Sequence, residues 1–401
     1  MKRVIVLLSV ACALLIQSCR NNTTHTSQVS DTADEDSARS LVRIHIDDRT
    51  RPLYDVITRE NLIEDIKYIP LETNEKSLIG DYDIYKIGGN YVVEDRRPFN
   101  MVIKVFGPDG RYIEDSLIIG NGPRELPVSG VSIHDFINKR LIYAGAGKVI
   151  ELDLTTHKKS VIRTDKSFGF SFDTGVLGNG DFITSANEGR LTSKGNGKDW
   201  YPQYYFTSSD FSRTDTVLSY KELYGLAEGK DATIYTIDQV YSSDKRILCR
   251  SKESDTVFEV RNDRSFVPAI ILDIPEKLFP TGQNMSLDSK EQKMKMIYIR
   301  NLFETKDYVF VSYQHAGLYY TGIWEKKSGT YVASSAASFG STVIVPVDNA
   351  NYMYQYRINY VEWETNTIVT SVTAKSAQDQ IPSLKPDDNP VIVEIRLKTP
   401  E

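Results

Sequence analysis

Residues 101–119 read MVIKVFGPDGRYIEDSLII, and the fold follows from how that stretch divides. Met101 to Phe106 and Arg111 to Ile119 are strand-like runs, and Gly107-Pro108-Asp109-Gly110 between them has the proline and glycines that suit a tight reversal. The stretch is therefore a β-hairpin, and the same unit recurs in both directions. Upstream lie Ile66 to Leu71, then Tyr82 to Ile87 and Asn90 to Glu94 joined across Gly88-Gly89. Downstream, Val131 to Phe136 pairs in sequence with Arg140 to Tyr143, and Val149 to Leu154 with Lys159 to Arg163. Short alternating runs continue through Tyr204 to Phe206, Val240 to Ser242, Arg246 to Arg250, Thr256 to Val260, Tyr308 to Tyr313 and Tyr319 to Trp324. Strands at such regular spacing mark an all-β sandwich, barrel or propeller.

Helical period is scarce. Ser286 to Ile297, SLDSKEQKMKMI, is the one convincing helix candidate, with Ser286 and Asp288 as caps, while Tyr352 to Tyr360 fits either a strand or a short helix. A βαβ sheet is excluded on that pattern. Length then chooses among the β architectures: a single sandwich or barrel rarely exceeds ~250 residues, whereas six four-stranded blades would fill this span.

The details of the hairpin support that choice. Phe106-Gly107-Pro108-Asp109-Gly110-Arg111-Tyr112-Ile113, followed by Gly120-Asn121-Gly122-Pro123-Arg124-Glu125, resembles the hairpin and G-x-G-P-x-E turn of the six-bladed β-propeller lipoproteins common in Bacteroidetes, an NHL-like family of uncharacterised function. Tyr68-Ile69-Pro70-Leu71-Glu72 with Leu78-Ile79-Gly80 resembles that family's opening strand. Asp255 to Val260, then Pro268 and Leu272-Asp273, resembles its mid-chain segment, and Asn389-Pro390-Val391-Ile392-Val393 its closing strand. Leu126 departs from the family's aromatic, and Ile274-Pro275 from its usual Phe-Gly. The resemblance implies an all-β, six-bladed propeller of four-stranded antiparallel blades at residues 41–401. Because an open sheet leaves unpaired edges, Val391 to Leu397 is expected to complete a blade with an early strand, either Leu41 to Ile46 or Ile66 to Leu71.

The N-terminus supplies the address. Lys2 and Arg3 precede the apolar run Val4 to Ile16, which is too short to cross a bilayer as a helix of ~20 residues and fits an export signal. Leu15-Ile16-Gln17-Ser18-Cys19 resembles a bacterial lipobox, so residues 1–18 are expected to be a lipoprotein signal and Cys19 the lipid attachment site. Residues 19–40 form a polar segment that cannot bury enough surface to fold, and they read as a flexible linker. With Cys12 in the leader and Cys19 acylated, Cys249 alone remains, so the folded part has no intramolecular disulfide. Cys249 reads as a small buried thiol.

Composition narrows the partners. With 48 Lys and Arg against 54 Asp and Glu, a net charge of −6 and no dense basic cluster, the chain is not expected to bind nucleic acid. Its 24 Tyr and 15 Phe favour strands. The five histidines are scattered, with no H-E-x-x-H and no paired cysteines, so zinc spacing is absent. No G-x-S-x-G elbow is present either. His134 reads as a satisfied blade residue. His315, in the loop Gln314-His315-Ala316-Gly317, is the better functional candidate, and Arg96, Arg97, Arg124 and Glu125 fall where strands meet loops at a tunnel mouth.

These readings lead to an envelope lipoprotein, anchored through Cys19 at the outer membrane, whose propeller binds a protein, glycan or peptide ligand without a cofactor. It is placed beside nutrient uptake by the family resemblance. The alternative is a propeller hydrolase, lactonase-like or glycan-active, with calcium at the central tunnel.

Overall fold

The Gly107–Gly110 turn sets the pattern for the whole molecule. Gly107 N donates to Arg111 O at 2.8 Å and Gly110 N to Gly107 O at 2.9 Å, which reverses the chain between β5 (Asn100–Phe106) and β6 (Tyr112–Ile118). With β3 (Tyr82–Ile87) and β4 (Asn90–Arg97) these strands make a four-stranded antiparallel sheet, blade 1. The computed structural model describes residues 41–46, 62–97, 100–118, 122, 125, 130–145, 147–163, 174–185, 191–192, 204–216, 233–234, 239–250, 254–274, 297–315, 318–336, 344–346 and 355–401. The leader, the polar linker with Cys19, Arg124, and the helix candidate up to residue 296 lie outside them.

Five further blades follow in chain order. Blade 2 comprises β7 (Val131–Asp135), β8 (Arg140–Gly145), β9 (Lys148–Asp153) and β10 (Lys158–Arg163). Blade 3 comprises β11 (Thr174–Val176), β12 (Phe182–Ser185), β14 (Tyr204–Thr207) and β15 (Thr214–Thr216), with the small strand β13 (Leu191–Thr192) paired to β16 (Thr233–Ile234) apart from it. Blade 4 is β17 (Gln239–Ser242), β18 (Ile247–Arg250), β19 (Thr256–Val260) and β20 (Phe266–Asp273). Blade 5 is β21 (Tyr298–Glu304), β22 (Tyr308–His315), β23 (Leu318–Glu325) and β24 (Tyr331–Ala336). After a two-stranded pair, β25 (Ile344–Pro346) with β26 (Gln355–Arg357), blade 6 contains β27 (Tyr360–Glu362), β28 (Thr367–Val372) and β29 (Val391–Leu397). The segment Tyr352 to Tyr360 thus resolves toward strand where it is described. Among the described residues one short helix, α1 (Ala374–Ala377), is capped by Thr373, whose hydroxyl accepts from Ser376 N.

Closure falls to the second of the two expected partners. Strand β2 (Ile63–Pro70) pairs antiparallel with β29 as the fourth strand of blade 6, with Ile66 opposite Ile395 and Ile69 opposite Ile392. Ring closure is therefore made by hydrogen bonds between the chain's two ends. The other candidate, Leu41 to Ile46, instead forms β1 (Val42–His45), which runs parallel to β20 as a fifth strand on the outer edge of blade 4. Burial explains the choice: Ile44 and Ile46 are fully buried among blade 4 and blade 5 residues. Gly110 seals the junction with β2. At φ +80° it sits where a Cβ would lie 2.2 Å from Pro70 O, so glycine alone lets the blade 1 turn rest against the end of β2.

Each sheet is apolar on both faces because each is sandwiched between two neighbours. Among the described residues six separate apolar clusters result, one per junction. Val92, Val105, Leu141 and Ile150 join blades 1 and 2; Ile142, Val176 and Phe182 join 2 and 3; Phe206, Ile247 and Cys249 join 3 and 4. Ile270, Leu302 and Val311 join 4 and 5; Phe310, Ile368 and Ile395 join 5 and 6; Ile392, Ile84 and Val93 join 6 and 1. Six blades with six junctions make a closed ring.

A polar belt runs round the end at which the innermost strands finish. Asn90 Nδ2 donates to Leu154 O at 2.8 Å, Asn138 Nδ2 to Leu177 O at 3.2 Å and Asn179 Nδ2 to Asn262 O at 3.1 Å, linking blades 1 to 2, 2 to 3 and 3 to 4. Arg246 and Glu304 link 4 to 5, Lys306 N and Trp363 O link 5 to 6, and Lys86, held between Glu362 at 2.8 Å and Glu394 at 2.5 Å, links 6 to 1. Burial lowers the affinity of the Lys86 ammonium for its proton, but the two carboxylates more than reverse this and hold its pKa above the ordinary lysine value. The segments that pass from blade to blade leave from the opposite end.

Candidate functional site

The first strand of every blade faces the axis, and together these strands enclose a cavity of about 470 Å³. Alternation along a strand decides what enters it: on β7, Ile133 and Asp135 are buried between blades while Ser132 and His134 line the cavity. His134 Nε2 lies 2.9 Å from Glu94 Oε1 on the neighbouring blade, and its ring stacks on Tyr85 with centroids 3.7 Å apart. A carboxylate accepts, so Nε2 donates to it, and Nδ1 has no partner among the described residues.

The cavity has a floor. Phe136, from the turn after β7, stacks on Tyr360 of blade 6 with centroids 4.6 Å apart. The Tyr360 hydroxyl bonds to Asp244 of blade 4, and Trp363 N donates to Asp244 Oδ1 at 3.1 Å. Alternate blades 2, 6 and 4 are thus joined across the axis, which closes this end of the tunnel. Burial, reinforced by the charges of Asp244 and Glu362, drives the Tyr360 hydroxyl far above the ordinary tyrosine range, and burial also lifts the Asp244 carboxyl above its usual value. Tyr360 is therefore a neutral donor at any physiological pH.

Beside the floor stands a dense ion cluster. Arg246, 8% exposed, holds Glu304 through Nη2 at 2.6 Å to Oε1 and Nε at 3.0 Å to Oε2, and reaches Glu259 Oε2 with Nη1 at 2.6 Å. Lys326 Nζ lies 2.7 Å from Glu304 Oε1, and both cations sit over the Trp363 ring, at 4.1 Å for Lys326 and 5.2 Å for Arg246. Burial pulls the Lys326 ammonium below the ordinary range against the opposing pull of Glu304, whereas the carboxylates around Arg246 outweigh its burial and raise it. The cluster is neutralised within itself.

Of the residues singled out from the sequence, Arg124 lies outside the described residues and the others are placed as follows. Arg96 and Arg97 end β4, paired with Met101 and Asn100, and their side chains lie outside the described set. Glu125 is exposed, and its Oε2 accepts from Gly122 N at 2.7 Å in the connection from blade 1 to blade 2. His315 ends β22 opposite Leu318, near the ring of Tyr320. The described ones do not converge, and neither Glu125 nor His315 lines the cavity. His134 has the hydrogen bond expected of a satisfied strand residue, yet stands in the cavity wall. Cys249 is buried, as read from the sequence. Among the described residues no three His, Cys, Asp or Glu side chains converge to hold a metal ion.

Fold and site together define a six-bladed β-propeller with a blind axial pocket. Within that class the chain belongs to the family described as "Domain of unknown function (DUF4934)", whose model matches residues 42–396. No curated protein matches significantly. Among solved structures, a Bacteroides fragilis protein described as exported is similar at a TM-score of 0.60 and 16% identity, over 90% of this chain and 100% of that one. A DUF4221-family protein from Bacteroides vulgatus is similar at a TM-score of 0.49 and 10% identity, over 84% of this chain and 98% of that one. At these identities the likeness concerns the fold.

Proposed function

We propose that this protein is an envelope lipoprotein whose propeller is a ligand-binding module, with the axial pocket as its site and a place beside nutrient uptake. One observation carries the binding reading: the first strands of six blades enclose a blind cavity of about 470 Å³, inside the ~300–1,000 Å³ range of ligand pockets. The envelope address rests on the leader and on the lipobox ending in Cys19. Anchoring is tested by fractionation. The parent chain is expected with the membranes and Cys19→Ala in the soluble fraction; equal partitioning of the two would remove the anchor from the proposal.

Binding is tested by thermal shift, using a mixed library of oligosaccharides, peptides and small metabolites on the full chain and on Asn359→Trp, which fills the pocket. A ligand present at 100 times its Kd stabilises the folded state by about 2.7 kcal/mol, a rise of several degrees in Tm. We expect hits on the parent that Asn359→Trp abolishes while keeping its near-ultraviolet circular dichroism. If every hit survives in Asn359→Trp, the pocket is not the site.

The pairing of His134 with Glu94 inside an enclosed cavity favours a second reading, a hydrolase with His134 as general base oriented by Glu94. Turnover of an aryl ester or lactone by the parent and its loss in His134→Ala would establish it.

A further inference from the structure

The unused hydrogen-bonding groups of the pocket share one property: they are uncharged. Ser132 Oγ is buried with no partner among the described residues. Among the described residues, Asn359 pairs only through its backbone, Asn301 uses its Oδ1 on Leu302 N and leaves its amide nitrogen over, and His134 keeps Nδ1. These four residues come from blades 6, 5 and 2, and all line the cavity. The charged groups there are already engaged, Arg246 with Glu304 and Glu259, and Glu94 in a hydrogen bond with His134. A guest that offers hydroxyls or amides gives the uncharged groups the partners they lack. An ionised guest would instead surrender its hydration without meeting a free counter-charge.

The floor adds a second constraint. Because Phe136, Tyr360 and Asp244 close the tunnel, a polymer cannot thread it and can only insert an end. A peptide's ends carry an ammonium or a carboxylate, which this pocket leaves unmatched. A neutral sugar chain ends in hydroxyls.

We infer that the pocket takes the uncharged end of a glycan, a terminal sugar whose hydroxyls meet Ser132, Asn301, Asn359 and His134. This rests on the reading of the cavity as a ligand site. The test is calorimetric titration of the full chain with neutral mono- to trisaccharides of mannose, xylose, glucose and galactose. Trigalacturonate and trialanine serve as charged probes, and Ser132→Ala with Asn301→Leu, checked for an unchanged melting transition, as the variant. Binding of at least one neutral saccharide, weakened tenfold or more in the variant, is the expected result. Cavity-dependent binding of trigalacturonate or trialanine alone would overturn the neutral-glycan inference and leave the binding reading standing. No binding by any saccharide overturns the inference, and binding that the variant leaves unchanged overturns both.

Discussion

Deletion of residues 389–401 will abolish the cooperative melting transition. Strand β29 contributes Val391, Ile392, Val393, Ile395 and Leu397, each no more than 1% exposed. At ~1.5–3 kcal/mol for each fully buried apolar side chain, their loss alone matches the ~5–15 kcal/mol that holds a typical domain folded. The deletion also leaves β2 and β28 without the strand that separates them, so blade 6 loses its centre and the ring its closure. Asn389 goes too, and with it the hydrogen bonds from its side chain to Glu72 O and Ser77 O and from Ile79 N to its Oδ1. Removal of residues 399–401 alone, beyond the last ladder contact of Lys398 N with Leu62 O, leaves the transition in place. A truncated chain that melts with the parent's midpoint and steepness would refute closure by the two ends.

Arg246→Ala is the point substitution with the largest expected effect. It strips the bidentate partner from Glu304, whose side chain is 3% exposed, and leaves Glu259 without its 2.6 Å contact. Lys326 remains, but a single buried ammonium then faces the carboxylates that two cations had balanced. Breaking a buried ion pair from one side costs about 3–5 kcal/mol, because the surviving charge stays desolvated. The double variant Arg246→Met with Glu304→Leu removes both partners and is expected to recover much of that loss. Urea denaturation of the three chains measures it. A cost below about 1 kcal/mol for Arg246→Ala, the range of exposed pairs, would show that the cluster does not hold blade 4 to blade 5.

The ring was legible because it is built from local signals. Gly107-Pro108-Asp109-Gly110 names its own turn, and Val391-Ile392-Val393 names its own strand, each within a few residues. The choice between two opening strands was not local: Ile44 and Ile66 both alternate plausibly, and only packing against blade 5 sends Ile44 to the outside of blade 4. The pocket was less legible still. Its wall takes between one and six residues from each blade, so Ser132, Arg246, Asn301 and Asn359 are far apart along the chain and form no motif. The pattern around His134 showed a two-faced strand, but which face meets the axis depends on the ring. In the sequence Arg246 only opens the run Arg246 to Arg250, and its partner Glu304 is 58 residues away.

Strand β1 places a short mechanical element between the upstream chain and the ring. Its four residues lie parallel to β20, from Val42 opposite Ile270 to His45 opposite Asp273, and the chain reaches β2 only afterwards. Tension applied ahead of Leu41 therefore loads the β1 and β20 hydrogen bonds in shear first. The β2 and β29 seam is loaded only after those bonds give way, as a circuit stands behind its fuse.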